Sequence, residues 1–376
     1  MNISKQESLA LRGLAITIIV LHNIVHLAQK IMCNESYYSQ EFTDNMWNNI
    51  YSMPYSYIIS FWGWLGVPLF VFLSGYGLQK KCELMGGGNM DALAFVKSGL
   101  RKLFLLMAPA YVFFFISQIV IESCSQSGLS LGGFAYLLIK GISQLTFTSN
   151  LLYPYSINPG VFWYFGLTAQ LYIIFAFLLR RLSNRSLIIV AVSTFLLLTI
   201  IEIIGMDDMK ICFIRKQCLG WLSCFILGII AGRKEFELSS KSVITFFVLV
   251  ALLFFTSVRS FSWVLPELIA LTLFIMYRKS RFVNNKFWIY IGSISASLFA
   301  VHPVLRYLWF QLPISYDNQV IVFVVSFVFL SLSITLSFFY DRLYKKMLLK
   351  FNSDKKNSCL CNLLNRQRSL VRNGGR

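Results

Sequence analysis

The sequence predicts an all-α, polytopic integral membrane protein of about ten transmembrane helices with both termini in the cytoplasm. Three observations carry this reading: composition, the length of the apolar runs, and the placing of Lys and Arg. Of 376 residues, 57% are hydrophobic and only 13% charged, and 35 are Phe. A soluble domain is nearer ~45–50% apolar and ~25% charged. Apolar runs recur at about 18 residues or more, enough to cross ~30 Å of hydrocarbon at 1.5 Å per residue. Barrel strands would instead alternate polar and apolar residues. Runs such as LIIVAVSTFLLLTII do not.

The spans fall roughly at 8–28, 56–79, 99–121, 160–179, 186–205, 211–231, 242–258, 260–277, 287–309 and 319–341. The stretch 130–148 is apolar but holds Lys140 and early glycines, so it is assigned to the membrane surface or a re-entrant hairpin. Positive charge gathers in alternate connections: Lys80, Lys81, Lys97, Arg101 and Lys102; Arg180, Arg181 and Arg185; Arg233, Lys234 and Lys241; Arg278, Lys279, Arg281 and Lys286. Cytoplasmic loops collect Lys and Arg, which places these inside. The 29–55 connection, with Glu35, Glu41 and Asp44 against Lys30, falls outside. The connection holding Asp207, Asp208, Lys210, Arg215 and Lys216 is mixed. Residues 1–341 are therefore read as one membrane domain, and 342–376 as a basic, disordered cytoplasmic tail held near anionic lipid.

The net charge of +18 reflects this bias in the loops rather than a nucleic-acid partner. Eight Cys are scattered without a CxxC pair, so neither a metal site nor a disulfide framework is expected. The first apolar run lacks a small-residue cleavage site and reads as an anchor rather than a cleaved signal. Gly86–Gly88 reads as a turn rather than a phosphate cradle, and no Walker motif is present.

Chemistry concentrates in the first span, LALRGLAITIIVLHNIVHL, which holds Arg12 and two of the three histidines. At about 100° per residue, Asn23, His26 and His22 lie about 20°, 40° and 80° from Arg12 on one flank. Ionisable groups at membrane depth are costly, face a bundle interior or watery cavity, and are kept for function. Taken singly, each has a plain explanation. Arg12 could snorkel to the boundary, His22 could bond a neighbouring helix, and His26 could sit at the interface. Together on one face they argue for a site. The third histidine, His302, lies about 15 residues or ~22 Å along the ninth span, against about 14 residues or ~21 Å for His22 along the first. Matching depth points to a shared cavity, although a partner for the carbonyl freed by Pro303 is the plainer role. Further candidates are Ser74 and Tyr76 ending the second span; Lys97, Arg101 and Lys102 opening the third, a basic helix start suited to phosphate; and Trp163 and Tyr164 opening the fourth.

In order, LALRGLA running to a histidine, LFVFLSGYGL, LRKLFLLMAPAYV, FWYFGLTAQLY and SASLFAVHP resemble the membrane-bound acyltransferase 3 family from about Leu9 to Tyr340. The family's arginine-to-histidine gap would place its histidine at Asn23; here His22 or His26 would serve as base, with Asn23 in the usual slot. The acid common in the middle motif is replaced by Thr168, Ala169 and Gln170. The resemblance implies transfer of an acyl group, most simply acetyl, from a cytoplasmic acyl-CoA to a hydroxyl of a lipid-linked or surface glycan. No cofactor would be bound, and the protein would sit in a plasma membrane, as in the bacterial inner membrane. On this reading His22 or His26 is the base, Arg12 stabilises charge, and His302 assists. Asn23, Ser74, Tyr76, Lys97, Arg101, Lys102, Trp163 and Tyr164 would bind substrate. The competing reading is an exporter of glycan, lipid or small solute, since intramembrane His and Arg also suit proton relays.

Overall fold

The computed structural model describes residues 2–28, 40–86, 90–125, 128–153, 159–205, 208–234, 243–258 and 263–373, with side chains as far as Phe351 in the last helix. Every regular element among them is helical. In chain order these are α1 (Lys5–Ala28), α2 (Gln40–Asn49), α3 (Pro54–Trp62), α4 (Gly66–Leu84), α5 (Ala92–Ser123), α6 (Leu131–Leu145), α7 (Ser149–Leu152) and α8 (Trp163–Phe177), followed by α9 (Asn184–Ile203), α10 (Asp208–Arg215), α11 (Cys218–Arg233), α12 (Val243–Val258), α13 (Val264–Met276), α14 (Lys286–Ser293), α15 (Ser295–Trp309) and α16 (Gln319–Asn373).

Seven stretches are long and apolar enough to cross a membrane, and the α14–α15 pair, bent by 70°, makes an eighth if it is one span. The protein is a multi-pass, all-helical membrane protein. The ten apolar segments read from sequence match these eight plus α12 and α13. Those two, at 16 and 13 residues, are shorter than a perpendicular crossing requires. The 130–148 stretch forms α6, a 15-residue helix lying against α5. The last helix runs on through residue 341, where the sequence divides membrane domain from tail. Gly87 and Gly88 of the glycine run lie outside the described residues.

The ends of these helices are written locally. Ser4 and Glu7 form a reciprocal capping box at the start of α1: Ser4 N–H donates to Glu7 Oε2 at 2.7 Å, and Glu7 N–H to Ser4 Oγ at 3.1 Å. Asp91, Ser130, Ser183 and Asn285 cap α5, α6, α9 and α14. A 3-10 turn, Gly63–Leu65, breaks the second span between α3 and α4.

The first helix is the hub. It packs on α3, α4, α14, α15 and α16, and 78% of its apolar window is buried, against 17% for α9. Close crossings depend on glycine. A Cβ on Gly13 would stand 2.0 Å from the Trp288 carbonyl oxygen, and one on Gly292 1.8 Å from that of Leu9, so α1 and α14 touch backbone to backbone. Gly75 and Gly228 do the same where α4 crosses α11. Without a hydrophobic drive between helices in lipid, such contact is what holds spans together. Ile188, Ile189 and Val192 of α9 and Phe247 and Phe255 of α12 point outward, as a lipid-facing surface requires.

Candidate active site

Three cavities follow one another through the bundle, each sharing a wall with the next. The first, of about 310 Å³, lies where α5 begins, lined by Lys97, Ser98, Arg101 and Lys102 with Leu348 and Phe351 of α16. The Arg101 guanidinium lies over the Phe351 ring at 4.0 Å. The second, of about 430 Å³, shares Lys102 and holds Arg12, Ser74, Thr168, Tyr172 and Ser295. The third, of about 50 Å³, shares Tyr164 and Phe299 with the second, and is bordered by His22, Asn23, Trp64, Trp163, Trp221 and Arg215. Tyr164 and Phe299, their rings 5.0 Å apart, form the partition.

Arg12 is partly buried, and the surface it retains faces the second cavity. Its electrostatic neighbours are Tyr164 and Tyr172, and among the described residues it forms no ion pair. A guanidinium without a carboxylate on its walls, in a chamber that also holds Lys102, is a place for negative charge.

Nearly three turns, or about 15 Å, further along α1, His22 packs against the 3-10 turn so tightly that a Cβ on Gly63 would meet its Cβ at 2.5 Å. Its Nδ1–H donates to the Ile59 carbonyl at 3.2 Å, which keeps the neutral ring's lone pair on Nε2. The His26 ring lies tilted at 32° to that of His22, centroids 5.2 Å apart, and pairs through Nδ1 with Ser60 Oγ at 2.7 Å, set back from all three cavities. His302 is fully buried. Its Nδ1–H donates to Leu298 O at 2.8 Å, and its Nε2 accepts the Asn23 amide at 3.1 Å. Arg306 Nη1–H donates to the Asn23 carbonyl at 3.2 Å.

Arg12, His22, Asn23, Ser74, Lys97, Arg101, Lys102, Trp163 and Tyr164 thus all border the cavity series. His302 acts on it through Asn23 rather than by facing it. Tyr76 turns away: its hydroxyl accepts the Ile3 N–H at 3.0 Å and fixes the segment before α1, while its neighbour Ser74 faces the second cavity.

A family model described as an acyltransferase domain matches residues 9–340. The chain belongs to the acyltransferase 3 family. No curated protein and no solved structure matches it. The match runs from the first turns of α1 into α16, short of the Tyr344, Leu348 and Phe351 that line the first two cavities, and marks the protein as a membrane acyltransferase.

Two parts of this acyltransferase's site escaped the sequence reading. Arg215, placed there in a mixed loop, is 2% exposed, with Nη2 3.6 Å from Glu267 Oε1 of α13. The signal was Glu267 itself, a lone acid within VLPELIALTLFIM, which demands a cation partner. The other is an amide relay. Gln170 accepts the Cys218 N–H at 2.8 Å and donates to Gln217 at 2.7 Å. Gln217 donates to the Asn150 carbonyl at 2.7 Å, and Asn150 donates to the Trp163 and Lys216 carbonyls at 2.8 and 2.6 Å. Gln170 therefore helps start α11, and the relay ends on the Trp163 and Lys216 carbonyls beside the small chamber.

Proposed function

We propose that the protein is a membrane-embedded O-acyltransferase of the plasma membrane. It moves an acetyl group from cytoplasmic acetyl-CoA to a hydroxyl of a lipid-linked or cell-surface glycan, with His22 as general base. The observation that supports this best is the order of the cavities: a cationic mouth, a chamber with an arginine lacking an acid partner, then a small chamber bordered by an imidazole. Coenzyme A is a phosphorylated nucleotide on a long arm ending in a thioester. Lys97, Arg101 and Lys102 suit its phosphates, and the Arg12 chamber suits its acyl end.

In the reaction the acceptor hydroxyl oxygen attacks the thioester carbonyl as its proton passes to His22 Nε2. Arg12 stabilises the oxyanion, which preorganised charge in a water-poor site does strongly. Collapse breaks the carbon–sulfur bond, and the proton leaves with the thiolate as coenzyme A. The partition by Tyr164 and Phe299 must open for the two substrates to meet, and in the closed state it keeps bulk water from the thioester.

Purified protein in proteoliposomes with labelled acetyl-CoA and a glycan extract tests the reading. Release of free thiol matched by label in the acceptor supports it. Movement of solute across the vesicle without thiol release would favour the exporter instead.

A further inference from the structure

One buried ionic cluster takes no part in the donor route. Arg215 ends α10, paired to the fully buried Glu267 at 3.6 Å. Glu202 of α9 stands within electrostatic reach of both, its Oε2 accepting the Trp263 N–H at 2.9 Å. The Arg215 guanidinium also lies over Trp64 at 4.8 Å and Trp263 at 5.2 Å. The cavity face of this cluster is the small chamber with His22 and Asn23. One cation there faces two carboxylates behind aromatic walls, where Trp163 and Trp221 stack at 5.7 Å. The donor side is the reverse, with Arg12 and Lys102 bordering a chamber that no carboxylate lines.

We infer that the small chamber is the acceptor subsite, and that it accepts a neutral hydroxymethyl arm and rejects acidic sugars. The inference rests on the acyl-transfer reading above. Its argument is charge and size. Arg215 is already paired with Glu267, so an incoming carboxylate finds that cation committed and would give up its hydration without a partner of its own. A hydroxyl only needs a donor or acceptor, which this edge offers. About 50 Å³ holds roughly three to five waters, at ~10–15 Å³ each, enough for one CH₂OH arm and too little for a ring. Aromatic walls suit the C–H faces behind that arm. Glu202 and Glu267 are specificity-setting residues: they hold Arg215's charge down and do not touch the donor.

Full-length protein in nanodiscs is titrated with methyl glucoside and with methyl glucuronide, read by the fluorescence of the chamber tryptophans, with acetyl-CoA affinity measured on the same samples. Wild type binds the glucoside about tenfold or more tightly than the glucuronide. Glu267→Gln narrows or reverses that ratio with acetyl-CoA affinity unchanged. If Glu267→Gln does not fold, Glu202→Gln acts on the same cluster and shifts the ratio the same way. Equal or tighter glucuronide binding in wild type, binding of neither sugar, or a ratio that survives both substitutions overturns the inference. Loss of acetyl-CoA binding alone would instead strike the acyl-transfer reading and leave a neutral-sugar site.

Discussion

His22 and His26 are chemically the same residue one helical turn apart, and their partners divide the work. His22 spends Nδ1–H on a carbonyl and borders a cavity, whereas His26 is tied to Ser60 behind it. His22→Ala is therefore expected to cut acyl transfer by about 10²–10⁴-fold with the protein still monodisperse, the range typical of a lost general base. His26→Ala leaves most activity and lowers thermal stability instead. Arg12→Ala lowers kcat/KM for acetyl-CoA by about 10²–10³-fold, as removal of an oxyanion donor does. Arg12, His22 and Asn23 were legible in the sequence because polar and ionisable groups inside an apolar run are conspicuous. Arg215 was not, because its run is short and its partner Glu267 lies 52 positions away (267 − 215) on another helix. Tyr76, read from sequence as a substrate contact, bonds the Ile3 backbone instead of lining a cavity, because aromatic residues at span ends are hard to read. The same side chain serves an interface, a helix neighbour or a substrate, and only its partner tells them apart.

At the scale of the helix, position depends on what glycine permits and proline disturbs. Gly292→Ala drives a Cβ against the Leu9 carbonyl and is expected to cost about 1–3 kcal/mol or more, seen as a lower unfolding temperature in detergent. Gly132→Ala, with nothing within 4 Å, serves as the control and leaves that temperature unchanged or higher. In α5, Pro109 weakens the backbone ladder, and the Tyr340 hydroxyl of α16 enters it, donating to Leu106 O and accepting from Ala110 N at 3.3 Å. Tyr340→Phe leaves those groups to each other across a kink and costs about 1–3 kcal/mol, measurable by thermal unfolding. Helix existence and order were readable from run length. The 70° bend between α14 and α15 and the break at Gly63–Leu65 were not, because both segments stay apolar through the break and hydropathy carries no direction.

For the whole molecule, the account places a cationic mouth at one end of the bundle and an aromatic, charge-compensated chamber deeper within it. On the positive-inside rule the mouth is expected to face the cytoplasm. In a background lacking Cys33 and the exposed Cys124, an impermeant thiol reagent applied to intact cells should label a cysteine at the exposed Tyr51 and spare one at Lys346. The reverse pattern would invert the topology and with it the proposed source of the donor. The most direct measurement is a structure of the protein with a non-hydrolysable thioether analogue of acetyl-CoA. The account predicts phosphates among Lys97, Arg101 and Lys102, and the acyl end beside Arg12 against the Tyr164–Phe299 partition, with His22 on its far side. An analogue seated elsewhere, or a His22 turned to the lipid, would contradict it.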